Sequence, residues 1–278
     1  MNARPPLDPE ASERTDPPSD QPVGTTLAVD THCHLFLVER ETRAVLDEAW
    51  AAGVGSMVCV GIDAETSRQA AELAQSYRGV FATAGVHPHT ASEFDRVAGS
   101  TVEELLADPL VVGIGETGLD YFRKHSPEED QQRAFRTHIA LSRETGKPLV
   151  VHVRDAWSDA MRILEVERAE RVVLHCFTGG PDLAREACDR GYFVSFAGNV
   201  TYPNAAGIRD AAAAAGLAHI VVETDSPFLP PQTLRGTDNA PSNLPAVLGT
   251  VAEAKGLTLE RMVEVTADNA RRAFPHLR

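Results

Sequence analysis

Positive charge is scarce in this chain. Its 26 Lys and Arg residues stand against 40 Asp and Glu over 278 residues, a formal net charge of −14. Duplex DNA is held largely by neutralising its phosphates with Lys and Arg. This body therefore cannot hold long duplex by bulk attraction, and an anionic substrate must find its cations inside the site. Cysteine is also sparse. Cys33, Cys59, Cys176 and Cys188 form no Cys-x-x-Cys pair. That excludes the usual thiolate clip and points to a reduced, cytoplasmic protein. Cys33 and Cys176 are expected to be small buried packing residues. No apolar run is long enough to span a bilayer, so no membrane partner is expected. Residues 1–24 have no apolar stretch of the secretory-leader kind.

Hydrophobic residues, by contrast, make up 43% of the chain, enough for a substantial core. Residues 1–24 take little part in it. They are rich in Pro, Asp, Glu and Ser, and Arg4 and Arg14 against Asp8, Glu10, Glu13, Asp16 and Asp20 give them −3 of the −14, leaving −11 elsewhere. Such a segment cannot bury enough surface to offset its ordering entropy. The expected division is a disordered tail over 1–24 and one folded domain over 25–278.

Eight strand-like runs follow: Thr26–Asp30, Ser56–Val60, Val80–Ala84, Val111–Gly115, Pro148–Val151, Arg171–Leu174, Tyr192–Phe196 and His219–Val222. Helical spacing of apolar residues fills the gaps, at Thr42–Ala52, Ser67–Tyr77, Thr101–Leu106, Pro127–Thr145, Ala156–Glu167, Pro181–Arg190, Asn204–Ala215 and Asn243–Lys255. A last helix is expected at Thr258–Ala273. Strands alternating with helices imply parallel pairing. Eight units in this length match an α/β fold of the closed (β/α)₈ TIM-barrel type. An open doubly wound sheet is the alternative, but it gathers function at a switch point, and here both the first and the last strand carry ligand-type residues.

Those residues sit at strand ends. Asp30-Thr31-His32-Cys33-His34 follows Leu27-Ala28-Val29. Glu116 follows Val111–Gly115, His152 follows Leu149–Val151, His175 follows Val172–Leu174, and Asp225 follows Ile220–Thr224. His87 and His89 come just after the third run. In a strand, residues i and i+2 share a face, so His32 and His34 can address one ion. Four imidazoles and two carboxylates exceed the needs of one tetrahedral ion. They suit two ions sharing a carboxylate, at the C-terminal end of the barrel strands where such folds keep their chemistry. Each residue has a plainer reading: a core histidine, a buried hydrogen-bonded acid at Glu116, a helix cap at Asp225. So many coincidences at one barrel end weigh against it.

The segments Val29–His34, Gly113–Asp120, Val151–Arg154, His175–Gly179 and Glu223–Pro227 together resemble the TatD family of metal-dependent hydrolases, among the amidohydrolase-like barrels. The likeness runs in family order from about Thr26 to Phe274, and Arg235-Gly236 with Asn239 and Pro241 extends it beyond the last strand. The resemblance implies two divalent ions of undetermined identity (Zn, Mn, Mg, Co or Fe). His32, His34 and Asp225 would hold one, His152 and His175 the other, and Glu116 would bridge them. It implies a phosphodiesterase, with 3′–5′ exonucleases on single-stranded DNA among the family's members, and RNA processing and tRNA deacylation among its other links.

Physical argument fills in the remaining roles. Asp225 is placed to bind metal and to orient or deprotonate the attacking water, and Glu116 and Asp225 are the candidate catalytic carboxylates. Glu223, on the same face as Asp225, would orient a ligand histidine. Arg154 shares the face of His152 and, with Arg235, is a candidate phosphate contact; Arg123 and Lys124 read rather as solvated charges. His87 is expected to touch substrate or leaving group. Tyr121, Phe122, Phe177 and Phe228 are candidate base-stacking residues. Single-stranded nucleic acid is the expected partner. Two other readings compete: an amidohydrolase acting on a small-molecule amide or ester, and a metal-containing scaffold that binds without turnover.

Overall fold

A computed structural model describes residues 26–277; the expected tail over 1–24 lies outside them. Eight strands alternate with helices: β1 (Ala28–Cys33), α1 (Thr42–Ala51), β2 (Val54–Val60), α2 (Ala64–Ser76), β3 (Val80–Ala84), α3 (Arg96–Leu105), β4 (Val111–Asp120), α4 (Glu128–Thr145), β5 (Leu149–Arg154), α5 (Trp157–Val166), β6 (Val172–Leu174), α6 (Gly180–Asp189), β7 (Phe193–Phe196), α7 (Ala206–Ala214), β8 (Ile220–Val222), α8 (Leu244–Lys255) and α9 (Leu259–Ala273). Every adjacent pair is parallel, in the order β1 to β8. The ends meet. Cys33 bridges Ser226 in parallel, Thr31 Oγ1 donates to Val222 O at 3.0 Å, and His34 N–H donates to Ser226 O at 2.7 Å. The fold is the (β/α)₈ barrel that the alternation predicts.

Two apolar layers hold it. Strand residues facing outward pack under the helices, in a layer whose large buried members include Trp50 of α1, Phe135 of α4, Phe177 after β6 and Phe196 of β7. Facing inward, Val29, Val58, Phe81, Val112, Val150, Val173, Phe193 and Val221 fill the barrel, and Phe274 and Leu277 close its floor after α9. Such layers make a packed core rather than a pore.

Most element bounds agree with the sequence pattern to within three residues; two differ more. α3 does not open at Thr101. It opens at Arg96, capped by Asp95, whose side chain accepts from the N–H groups of Val97 and Ala98. An Asp before the first turn satisfies orphan donors wherever it stands; the exposed Val97 and the glycine at 99 hid the first turn. β4 runs five residues beyond Gly115. Gly115 and Gly118 look like a strand's end, but both lie inside β4 at positive φ (136° and 131°), Gly115 in the register shift and Gly118 paired with His152. A Cβ at either would sit 2.4 Å from Val150 O or 2.1 Å from His152 O. These glycines let β4 press against β5.

Candidate metal centre

Glu116 is the hub. The β4–β5 register shifts between Ile114 and Thr117, which turns its side chain into the barrel mouth. Its N–H donates to Gly61 O at 2.7 Å, and Thr83 Oγ1 donates to the preceding Gly115 O at 2.6 Å. The carboxylate is buried, and its two oxygens face different partners. Oε2 lies 3.4 Å from His32 Nε2 and 3.8 Å from His34 Nε2. Oε1 lies 3.0 Å from His152 Nδ1, 3.4 Å from His87 Nε2 and 3.5 Å from His175 Nε2. Asp225 Oδ1 completes the first side, 3.5 Å from His34 Nε2 and 3.8 Å from His32 Nε2. The donor atoms of His32, His34 and Glu116 lie within 4.8 Å of one another, as do those of His32, His175 and Asp225. The six residues that the sequence pattern proposes as ligands thus meet at one end of the barrel.

The acceptors that face the outer nitrogens decide what points inward. His34 Nδ1 is 2.8 Å from Val60 O. A carbonyl only accepts, so Nδ1 carries hydrogen and Nε2 presents a lone pair. Glu223 Oε1 does the same to His175, 2.7 Å from Nδ1, and also accepts from Cys176 N–H. Asp120 Oδ2 faces His152 in the same sense, at a longer 3.4 Å from Nε2. Lone pairs of three imidazoles therefore face carboxylate oxygens, and His32 Nε2 and His34 Nε2 are only 3.2 Å apart. Such an arrangement needs a cation or a proton at its centre. The donor set, imidazole with carboxylate, fits divalent metal, and the held outer nitrogens fit a ligand shell.

His87 is different. Its Nδ1 accepts from His89 N–H at 3.1 Å, so in the neutral ring Nε2 bears hydrogen and donates inward. Burial pushes its pKa down to about 4, which keeps the ring neutral. It can therefore offer a hydrogen bond to a substrate oxygen beside the cluster.

Electrostatics follow the geometry. Burial alone would raise the Glu116 pKa, but the imidazoles of His87, His175 and His32 hold it well below the usual carboxylate range. Burial opposes charge on His175, yet Glu223 and Glu116 carry its pKa up to about 10. A divalent ion competes with such protons, so loading would release them. Asp225 and Cys176, both beyond strand ends, adopt left-handed backbone with φ of 55° and 43°. Non-glycine residues seldom do so except where the surroundings over-determine them, often at functional sites.

Around the cluster lie the proposed substrate groups. Arg154 is exposed, its guanidinium 4.1 Å from the centroid of the exposed Phe122 ring, with no ion-pair partner among the described residues. Arg235 rests on Tyr202 at 4.6 Å. Phe228 is exposed and 5.9 Å from the His34 ring. Lys124 pairs with Glu128 as a surface charge, and Arg123 is exposed on the same loop. Tyr121 is half-buried, its hydroxyl bonded to Asp159 and Gln132.

Two expectations need correcting. Phe177 is fully buried, packed 4.9 Å from Trp157, and cannot stack on a base. Its backbone follows a strand end, but the side chain turns under the helices. Cys33 is buried as expected, whereas Cys176 is only partly so and accepts from Asn199 Nδ2. Asp120, given no role by the sequence reading, faces the cluster. Its signal was present: Glu116 and Asp120 are four apart, hence on one strand face, once β4 is allowed its full length.

The chain is similar to known proteins over nearly all of its described length. The family model described as TatD related DNase matches residues 29–275. The chain is 38% identical over 249 residues to a Bacillus subtilis protein named as an uncharacterized metal-dependent hydrolase, YabD, covering 88% of this chain and 98% of that one. It is 34% identical over 242 residues to a Klebsiella pneumoniae protein named 3′-5′ ssDNA/RNA exonuclease TatD, covering 84% and 92%. Among solved structures, YjjV, a TatD homologue from Escherichia coli, superposes with a TM-score of 0.84 at 28% identity, covering 89% of this chain and 98% of that one.

Proposed function

The chain belongs to the TatD-related DNase family and is a metal-dependent hydrolase, and from that premise we propose that it removes nucleotides stepwise from the 3′ ends of single-stranded DNA or RNA. The observation that carries the chemistry is the division of Glu116: one oxygen toward His32 and His34, the other toward His152 and His175. In this reading His32, His34 and Asp225 would hold one divalent ion and His152 and His175 the other, with Glu116 shared between them. Two such ions supply Lewis acidity toward a phosphoryl oxygen and lower the pKa of a nearby water.

The chain's own groups do the rest. Val60 O and Glu223 fix the imidazoles so that lone pairs face inward. Asp225 orients the attacking water and accepts its proton. His87, neutral and donating from Nε2, contacts a phosphoryl or leaving-group oxygen. Arg154 and Arg235, each laid on an aromatic ring, are placed to fork onto phosphate oxygens. Phe122 and Phe228 offer exposed faces for bases. The polarity is supported by the name of the Klebsiella relative. The preference for a flexible strand is supported by the net charge of −14 and by a centre recessed among loops.

The test is a time course on 5′-labelled oligonucleotides, linear and circular, single-stranded and duplex, with Mn²⁺ or Mg²⁺ added. A ladder shortening from the 3′ end, with circles spared, is expected. Efficient nicking of circles overturns the exonuclease reading. Faster turnover of p-nitrophenyl acetate or an anilide than of bis(p-nitrophenyl) phosphate overturns the phosphodiesterase reading.

A further inference from the structure

Asp120 ends β4 on the face of Glu116, fully buried, and two parts of the site share it. Its Oδ1 accepts from the backbone N–H groups of Phe122 at 3.0 Å and Arg123 at 2.8 Å, folding that loop back onto the strand end. Its Oδ2 lies 2.8 Å from His89 Nε2 and 3.4 Å from His152 Nε2. An ionised carboxylate offers about four lone-pair sites; three here accept hydrogen bonds and the fourth faces His152 Nε2 at the longer 3.4 Å.

The backbone of Asp120 is clamped as well. Its N–H donates to Gln131 Oε1 at 2.8 Å, and Gln131 Nε2 donates to Asp120 O at 3.1 Å and to Ser126 O at 2.9 Å. Ser126 Oγ donates to His89 O at 2.8 Å, which closes the circuit. Tyr121 N–H then reaches Arg154 O at 2.9 Å. Asp120, Gln131 and Ser126 thus brace the loops after β3 and β4, and the backbone of Tyr121 ties them to the end of β5.

We propose that Asp120 is the positioning residue that locks the metal-binding face of the site to its substrate-gripping loop. With Oδ2 it holds His152 as the Nε2–H tautomer, so that the Nδ1 lone pair faces Glu116 Oε1, 3.0 Å away. With Oδ1 it fixes the segment carrying Phe122, the ring on which Arg154 lies. A carboxylate can do both because it only accepts. Asparagine cannot. If its oxygen stays on the two backbone donors, its NH₂ group faces two imidazoles, and His152 must accept at Nε2 and carry hydrogen at Nδ1, where a cation has no lone pair to bind.

This inference rests on the proposed two-ion site, and Asp120→Asn separates the two ideas. Nitrogen-15 histidine NMR of the metal-free protein, at a pH where the ring is neutral, reads the His152 tautomer without turnover. Wild type is expected as Nε2–H and Asp120→Asn as Nδ1–H. Titration with Mn²⁺ alone is expected to show one of two ions weakened 10- to 100-fold, the usual cost of losing an outer-shell partner. kcat should fall with it, while KM for a single-stranded oligonucleotide stays within about twofold, because the amide oxygen still holds the loop. Phe122→Ala should do the reverse, raising KM with Mn²⁺ affinity unchanged. A wild-type His152 found as Nδ1–H overturns the proposal even if Asp120→Asn fails to fold. So does an Asp120→Asn protein that keeps wild-type tautomer and Mn²⁺ affinity. Wild type that binds no Mn²⁺ but shows the expected tautomers overturns the proposed function and leaves the clamp standing.

Discussion

Along β5, Val150 faces the barrel interior and His152, two residues on, faces Glu116. Val173 and His175 repeat the pairing at β6, Val112 and Glu116 at β4, Val221 and Asp225 at β8. One end of the barrel is filled by apolar side chains that need only shape and volume; the other by groups that oppose one another. Burying apolar surface is favourable wherever it happens. Crowding lone pairs against a buried carboxylate is not, and it persists because the rest of the barrel holds it. The lesson is a division of labour along single strands: the floor supplies the free energy that lets the mouth stay preorganised, with its donors fixed before any ligand arrives.

That contrast can be broken at the mouth first. Glu116→Gln keeps volume but removes the charge shared by both sides. It is expected to cost about a thousandfold or more in kcat/KM and to lower the metal count per chain, with cooperative unfolding retained. Exhaustive chelation should abolish turnover and Mn²⁺, Mg²⁺, Co²⁺ or Zn²⁺ restore it. A Glu116→Gln protein with two ions and normal turnover, or full activity without metal, would sink the assignment.

The floor should answer in the opposite currency. Phe274 is fully buried beneath the strands. Phe274→Ala is expected to lose about 3–5 kcal/mol of stability, read by urea unfolding, while metal content and kcat of the folded fraction hold. A drop in kcat at full folding would show that the two ends are not separable.

Between the ends stands His138 on α4, which accepts from Val86 N–H at 3.1 Å and donates from Nδ1 to Ala134 O at 2.7 Å. Burial lowers its pKa to about 4, against about 6.5 in an unfolded chain. Between those values the unfolded chain binds a proton that the folded one does not. Stability from this group is therefore intact above pH 6.5 and lost as pH falls toward 4. At pH 5 the loss is on the order of 2 kcal/mol relative to pH 7. His138→Gln should shrink the difference between the two pH values by that amount; an unchanged difference would mean that His138 titrates normally.

The smallest effect is expected from residues 1–24. Their composition assigns them to neither end, so deleting them should move stability by no more than about 0.5 kcal/mol and leave kcat alone. A larger change in either would mean that this segment takes part in the folded body.

The barrel was legible because its signals are local. Each strand is a short apolar run, and His32 with His34, or Glu116 after Val111–Gly115, announces its face by alternation. What was not legible depends on distant partners. The expected run stopped at Gly115, yet Gly115 and Gly118 lie inside β4 and tolerate its close contact with β5. That error hid the far end of β4 and with it Asp120. Phe177 stands beside His175 and Cys176 in sequence, but only the packing of Trp157 shows that it turns away from the mouth. The tautomers are set by carbonyls and carboxylates from other strands, such as Val60 O on β2 for His34, which no spacing rule reveals.

The seam between β1 and β8 has a further consequence, in time rather than in space. Thr224 and Asp30 are hydrogen-bonded there although 194 residues separate them, and Asp225 N–H reaches His32 O across the same join at 2.9 Å. A chain emerging from the ribosome holds His32 and His34 from the start but cannot offer Asp225 beside them until its last strand has been made and docked. An ion held by those three side chains, as proposed, would read completion: it would grip the finished molecule, not the growing one. By mass action it would then favour the closed ring over any opened form.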